Sequence, residues 1–236
     1  MLTMEQLEEI SVIGKNGFMD RLIQRARMSI HEQFMTHVNP ALSETILDVG
    51  ASANPTFVAS NYLEFACPGH DITALGLGAE NEIWKNQYPC IPYIQGNALE
   101  LPFHDNSFDI VYSHAVIEHV GNFVNQVQMI REAMRVARRA IWITTPNRWH
   151  PVEFHTALPL LHWLPKTLHR HILTGLGRQY FATEDTLNLL DRNELNSILR
   201  MVEVSLSGKQ ILHSKIYKSK FLGFTGNLLL HIQLAE

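Results

Sequence analysis

The chain has 236 residues, enough for one well-buried domain with an insertion and too few for two independent domains of ordinary size. Its 46% hydrophobic and 18% charged residues fit a soluble globular protein, and a formal net charge of −4 argues against a nucleic-acid surface as the main partner. No window approaches ~20 uninterrupted apolar residues, so no membrane span is expected. Cys67 and Cys90 offer no disulfide framework, and Met1-Leu2-Thr3-Met4-Glu5 lacks the basic start and apolar run of a signal peptide, so the expectation is a reduced, cytoplasmic protein.

Phe18, Leu22, Ala26, Ile30, Phe34 and Val38 recur every four residues with Arg21, Arg25 and Glu32 between them. This spacing predicts an amphipathic helix that packs on the core and ends before Pro40. Ile46-Leu47-Asp48-Val49-Gly50-Ala51-Ser52-Ala53-Asn54-Pro55 then reads as a buried strand running into a tight loop of small residues that can approach a ligand closely. A helix is expected from about Pro55 to Phe65, broken by Cys67-Pro68-Gly69, with strands at Ile72 to Leu75, Tyr93 to Ile94 and Phe108 to Tyr112. The last is apolar on both faces apart from Asp109, as a buried parallel strand is. Phe123, Val127, Ile130, Met134 and Ala137 step as the buried stripe of a helix, with Arg131, Arg135 and Arg138 on a neighbouring face that reads as solvated. A fifth strand, Ala140 to Thr144, ends in Pro146-Asn147, and the strand–helix alternation predicts a doubly wound α/β sheet.

From Arg148 to Phe181 the composition shifts to Trp, His, Pro and Leu, too long for a plain loop, so residues 148–181 read as a lid above the carboxyl edge of the sheet where substrate is selected. Five of the 13 histidines lie between His150 and His171, but His169-Arg170-His171 places two imidazoles on different sides of a helix, and the spacing favours polar lid residues over a zinc site. Leu158, Leu160, Leu161, Trp163 and Leu164 beside Lys166 and Arg170 are expected to pack on the sheet, with peripheral contact to a membrane surface as the rival use. Asp191 with Glu194 forms a capping box for a helix through Met201, and apolar runs at Val202 to Leu206, Ile211 to Tyr217 and Leu228 to Leu234 supply last strands as an antiparallel hairpin. The organisation is thus a helical cap (1–44), a core (45–147), the lid (148–181) and a C-terminal helix with the last strands (182–236).

The glycine loop, together with Leu101-Pro102-Phe103-His104-Asp105-Asn106-Ser107-Phe108-Asp109-Ile110-Val111 running into Val116-Ile117-Glu118-His119-Val120, resembles the class I S-adenosylmethionine-dependent methyltransferases. Thr144-Thr145-Pro146-Asn147-Arg148-Trp149-His150-Pro151-Val152-Glu153-Phe154-His155 extends the resemblance to a bacterial, type 11-like branch, over roughly Thr45 to Leu199. The resemblance implies a Rossmann-like, seven-stranded, mostly parallel sheet with an antiparallel C-terminal hairpin and a lid after strand five. It implies S-adenosyl-L-methionine as cofactor and methyl transfer to a small-molecule or lipid-linked acceptor. By the same resemblance Gly50, Ala51 and Ser52 lie against the amino-acid part of the cofactor, with Asp48 supporting the loop. Gly76 and Leu77 flank ribose and adenine, Asn97 and Ala98 face the adenine edge, and Ser113 and His114 lie beneath the methionine portion. Three positions depart from the family pattern: only the first loop glycine is present, Gly76 stands where an acid grips the ribose hydroxyls, and Asn97 stands where an Asp is usual. Glu80 is the nearest replacement for the ribose acid.

Methyl transfer asks a protein to align an incoming lone pair and exclude water, and a hydroxyl nucleophile also needs a general base. His119 is the first candidate base, with His155 and Glu153 next, and these bases favour an oxygen acceptor. Some quinone-pathway methyltransferases carry an acid three residues before the Glu-His pair that helps bind a divalent metal; here that position is Ala115, so no metal is expected at Glu118 and His119. The rival from another class is a non-catalytic, methyltransferase-like interaction or regulatory module, motivated by the reduced glycine loop. A dinucleotide oxidoreductase fits less well, since it too wants an acid at Gly76.

Overall fold

The computed structural model describes residues 17–52, 61–67, 69–79, 81–204 and 209–235. Its strands are β1 (Thr45–Val49), β2 (Asp71–Gly76), β3 (Tyr93–Gln95), β4 (Phe108–His114), β5 (Ala137–Pro146), β6 (Ile211–Phe221) and β7 (Phe224–Leu234). Between them lie the helices α1 (Gly17–His37), α2 (Tyr62–Ala66), α3 (Asn81–Gln87), α4 (Phe123–Val136), α5 (Lys166–Gly175) and α6 (Arg192–Val204).

All seven strands join one sheet in the order β3-β2-β1-β4-β5-β7-β6. β1 to β5 run parallel, whereas β7 is antiparallel to both β5 and β6. The central position of β1 follows from its residues: Ile46 and Leu47 have no exposed surface, which only a strand covered on both faces provides. The strand order reverses between β1 and β4, so the crevice beyond their carboxyl ends is where such sheets take ligands.

Two apolar layers cover the sheet. Ile30, Phe34 and Val38 of α1 pack with Ile46, Tyr112 and Trp142 on one face. Val127, Ile130 and Met134 of α4 join Leu195 and Ile198 of α6 on the other. Phe34 is fully buried, and burying such a side chain contributes roughly 2–3 kcal/mol to the fold.

The expected hairpin is present, with Leu222 and Gly223 both at positive φ in a two-residue connection of β6 to β7. The capping box forms as the spacing predicts: the Glu194 amide donates to Asp191 Oδ1 (2.9 Å) and the Asp191 amide donates to Glu194 Oε2 (2.9 Å). Some boundaries shift. Ala137 opens β5 instead of closing α4, Phe123 at the first turn is 37% exposed, and Val202 lies in α6, not in a strand. Leu206 and the expected helix start from Pro55 to Ser60 lie outside the described residues.

The arginines expected on a solvated face are half-buried or exposed, Arg138 opening β5 instead of lying on α4, and two of them are tied into ion pairs. Arg135 binds Glu132 Oε2 (2.7 Å), Asp105 Oδ1 (3.0 Å) and the carbonyls of Leu101 and Phe103, tying the β3–β4 connection to the helix, while Arg138 holds Asp109 at 2.8 Å. Among the described residues no helix is long and apolar enough to cross a membrane.

Candidate active site

At the end of β1 the chain must turn sharply, and Gly50 does so with φ +103°. The amides of Gly50 and Ala51 both donate to the Leu75 carbonyl (2.8 and 3.0 Å), which fixes the loop to the end of β2. A Cβ at position 50 would collide with the Val116 side chain, so both the turn and the close approach require glycine. Asn61 then clips the loop: its Nδ2 donates to the Ser52 carbonyl (2.6 Å) and its Oδ1 accepts from the Ser52 amide (3.2 Å). Ala53, Asn54 and Glu80, the remaining loop residues and the expected replacement acid, lie outside the described residues.

Gly76 sits against the Ala51 carbonyl and the Tyr93 phenol, so that no side chain fits there. The missing ribose acid is therefore a packing requirement of this chain: Tyr93, whose hydroxyl donates to the Gly78 carbonyl (2.9 Å), fills the space. Leu77 is 76% exposed, as is much of Asn97, whose Oδ1 accepts from the Leu99 amide (3.0 Å), while Ala98 is buried. Together they leave an open, partly apolar rim at the ends of β2 and β3.

Under the loop lies a buried polar layer. Asp48 faces Glu64; burial first, then the charge of Glu64, raises the Asp48 carboxyl well above the carboxylate range, and burial raises Glu64 as well. The pair therefore resists losing both of its protons. Ser113 spends its hydroxyl on the Val49 carbonyl (2.8 Å), and His114 Nδ1 shares a 2.7 Å hydrogen bond with Thr144 Oγ1. Burial, followed by the positive charge of Arg27, brings His114 down to about 3, so it is neutral. Arg27 reaches this layer from α1 with its Nη1 buried and unpartnered, and burial draws it down to about 10, still a cation.

The Asp48 environment sets a pH dependence of stability. The unfolded Asp releases its proton near ~3.9, whereas the folded one keeps it to higher pH, so over that interval the unfolded chain binds fewer protons and stability falls as pH rises. The slope is about 1.4 kcal/mol per pH unit for one proton. Urea denaturation at several pH values should show this loss between the unfolded and folded titration points, and Asp48→Asn should flatten it and raise stability at neutral pH. A parallel offset with unchanged slope would count against Asp48 as its source.

Beyond β4 a second polar group assembles from four segments. Glu118 and His119 sit on the 3₁₀ turn Ile117–His119, held by a hydrogen bond from the Asn188 amide to the Glu118 carbonyl (2.7 Å). Glu153 and His155 come from a tight turn in the segment 148–181, closed by the Ala157 amide on the Glu153 carbonyl (2.9 Å). Thr145 ends β5, and Thr186 follows the lid. His119 Nδ1 donates to the Thr186 carbonyl (2.7 Å), His155 Nδ1 meets Glu153 Oε1 (2.7 Å), and the two Nε2 atoms face each other at 3.0 Å. Thr145 donates its hydroxyl to Glu118 Oε2 (2.9 Å), leaving Oε1 buried with no partner.

The electrostatics are correspondingly uneven. Burial pushes Glu118 up to about 7, with the charge of His155 pulling the other way. Burial and then His155 lower His119 to about 4. Burial opposes the Glu153 charge, yet the His155 charge and hydrogen bonds from His155 and Thr156 bring its carboxyl down to about 2, and Glu153 in turn raises His155 against its own burial.

Thus the loop residues Asp48, Gly50, Ala51, Ser52 and Gly76 lie together at one end of the sheet, and His119, His155 and Glu153 form one hydrogen-bonded chain. The other lid histidines do not join it: His150 Nδ1 and His162 Nε2 bond backbone carbonyls (2.8 and 2.7 Å), and His171 is exposed. Sequence reasoning passed over Arg27, Asn61, Glu64 and Tyr93. The one signal for Arg27 was its place three residues before Ile30, beside the buried stripe of α1.

Residues 47–142 match the family model described as a methyltransferase domain. A probable S-adenosylmethionine-dependent methyltransferase of Mycobacterium tuberculosis is 38% identical over 66 residues, 27% of this chain and 23% of its own length. One from Mycolicibacterium smegmatis is 34% identical over 110 residues, 44% and 40% respectively, so the chain spans less than half the length of these relatives. Among solved structures, a magnesium protoporphyrin IX methyltransferase from Synechocystis, with bound S-adenosylhomocysteine, superposes with TM-score 0.54 at 14% identity, covering 97% of this chain and 93% of that one. At that identity the likeness concerns the fold.

Proposed function

We propose that this chain, which belongs to the class I S-adenosylmethionine-dependent methyltransferases, transfers a methyl group to an oxygen of a small or lipid-linked acceptor. The observation that carries the oxygen assignment is the pair of imidazoles whose Nε2 atoms face each other at 3.0 Å just past the carboxyl end of β4.

When bound, the cofactor supplies an electrophilic methyl on a cationic sulfonium, which becomes a neutral thioether once an acceptor lone pair has taken the methyl. The turn at Gly50 and the clipped Ser52 give the backbone against which its amino-acid part would lie. Arg27 Nη1, a buried donor with no protein acceptor, suits its carboxylate. Leu77, Asn97 and Ala98 would border the adenine. The side chain of Tyr93 excludes an acid at position 76, so the ribose hydroxyls are left to backbone groups at the ends of β1 and β2.

At the acceptor, Thr186 fixes the His119 tautomer with its proton on Nδ1, and Glu153 fixes that of His155 in the same sense. Their Nε2 atoms then face each other with room for one proton between them. An acceptor hydroxyl beside the pair surrenders its proton to it, and the pair holds it in the Nε2···Nε2 bridge. The lid turn that carries Glu153 and His155 also shields the site from water. Its exposed Trp149, Leu160 and Trp163 offer an apolar rim for the body of the acceptor.

The test is calorimetric titration with S-adenosylmethionine and S-adenosylhomocysteine, followed by radiolabelled methyl transfer to a panel of phenolic, carboxylic and lipid-linked hydroxyl compounds. Micromolar cofactor binding with label found in an ether or ester supports the reading. Label found only on nitrogen or sulfur acceptors overturns the oxygen assignment, and no cofactor binding by folded protein overturns the enzyme. Arg27→Met gives a sharper check. Losing a charge-assisted hydrogen bond of roughly 1.5–3 kcal/mol should weaken cofactor binding about 10- to 100-fold. Melting temperature should hold or rise, since a buried cation is removed. Unchanged affinity would exclude Arg27 from the cofactor site.

A further inference from the structure

The geometry points to a divalent transition-metal site, of zinc type, formed by His119 Nε2, His155 Nε2 and Glu118 Oε1. The ligand atoms of these three residues lie within 4.8 Å of one another. They come from two separate segments, the turn after β4 and the lid, which only the folded chain brings together.

The hydrogen bonds around the cluster dictate where electron pairs point. The Thr186 carbonyl can only accept, so His119 carries its proton on Nδ1. Glu153 accepts from the His155 amide (2.8 Å) and from the amide and hydroxyl of Thr156 (both 2.6 Å), which marks it as a carboxylate and places a proton on His155 Nδ1 too. With the Nδ1 positions of both rings committed, their Nε2 atoms are left facing each other across 3.0 Å. Beside them Glu118 Oε1 is buried and receives no hydrogen bond, while its other oxygen is satisfied by Thr145. Two ring nitrogens and a buried carboxyl oxygen without a partner thus gather within 4.8 Å, a donor set that suits a cation.

A proton can bridge the two nitrogens but leaves Glu118 Oε1 unanswered; a metal ion answers all three. Tetrahedral zinc at about 2.0–2.1 Å from each nitrogen spaces them by roughly 3.3 Å, a few tenths of an ångström wider than they now stand. Two imidazoles and one carboxylate suit zinc or its neighbours better than magnesium or calcium, which prefer all-oxygen shells. Each ligand already has its outer partner: Thr186 for His119, Glu153 for His155 and Thr145 for Glu118. The third ligand comes from the lid, which is why position 115, an alanine, needs no acid.

The binding stands on this geometry alone, whereas its role rests on the methyl-transfer reading above. Three protein ligands leave one tetrahedral position for an acceptor oxygen. A hydroxyl bound there loses its proton to solvent water because the metal lowers its pKa, and the imidazoles then serve as ligands instead of taking that proton.

The experiment uses the full chain, stripped with chelator and dialysed, then titrated with Zn²⁺ and with Co²⁺ in the absence of cofactor and acceptor. Expected are one Zn²⁺ per chain and the visible ligand-field absorption of tetrahedral Co²⁺. His155→Gln and Glu118→Gln should each weaken binding at least about 100-fold, Glu153→Gln about 10-fold or more, and His171→Gln not at all. Circular dichroism and thermal melting establish that the variants are folded. Less than a tenth of an equivalent bound by wild type, or binding that a folded His155→Gln leaves unchanged, overturns the site. Methyl transfer by chelated and reloaded protein is measured separately. Activity that persists with no Zn²⁺ bound defeats the catalytic role of the metal and spares the methyl-transfer reading, while Zn²⁺ binding without cofactor binding keeps the site and overturns that reading.

Discussion

Gly50→Val should abolish detectable S-adenosylmethionine binding, a loss of at least about 100-fold in affinity, and lower stability by about 2–6 kcal/mol. Two costs combine. A β-branched residue at φ +103° is strained by about 1–3 kcal/mol, and its Cβ enters space held by Val116, where overpacking costs about 1–3 kcal/mol more. The backbone must shift, and with it the amides that Gly50 and Ala51 anchor on the Leu75 carbonyl. Gly177 supplies the control: it also has positive φ (+76°), but a Cβ there meets nothing within 4 Å. Gly177→Ala should therefore show backbone strain alone, about 1–2 kcal/mol, with cofactor affinity unchanged. Calorimetry and urea denaturation of the two variants separate collision from strain. A Gly50→Val protein that binds like wild type would remove the loop from the cofactor site.

Glu153→Gln should lower kcat by about 10²- to 10⁴-fold while cofactor affinity stays within about two-fold. The carboxylate accepts every hydrogen bond it makes, four in all counting His155 Nδ1. An amide in its place turns one acceptor into a donor. If that donor faces His155 Nδ1, the ring proton moves to Nε2 and the lone pair directed at His119 disappears. If it faces Thr156, the buried amide of Thr156 loses its partner, which costs about 1–3 kcal/mol of stability. Imidazole ¹⁵N spectra distinguish the two, because they report which nitrogen carries the proton. His155→Gln combined with Glu153→Gln should be little worse than either alone, since the residues act as one unit. Additive losses would show that Glu153 acts elsewhere.

The sheet was legible because its strands obey a pattern that burial enforces. Ile46, Leu47 and Val49 are apolar in succession because both faces of β1 are covered, and Phe34 and Val38 repeat at helical spacing because one side of α1 meets the sheet. The turn at Gly50 was legible for a local reason, its backbone geometry. What sequence could not reveal were contacts set by distant segments. Nothing near Gly76 in the chain announces that Tyr93 fills the space of an acid, and nothing near His119 announces that His155 will stand 3.0 Å away. The lid histidines looked alike in sequence because their chemistry depends on partners: His150 and His162 meet backbone carbonyls, whereas His155 meets a carboxylate and a second imidazole.

β7 lies between β5 and β6, antiparallel to both, so the last strand in the chain is the one that covers β5. During synthesis the ten-residue strand Ala137–Pro146 therefore leaves the ribosome long before its neighbour exists. Until Phe224–Leu234 emerges, Trp142 and Ile143 present an unpaired apolar edge of the kind that recruits other chains. The nascent polypeptide can assemble β1 to β4 early, yet it completes its sheet only after translation has passed the final hairpin. Holdase chaperones that bind extended apolar segments should therefore raise the yield of folded protein by covering that edge while it waits.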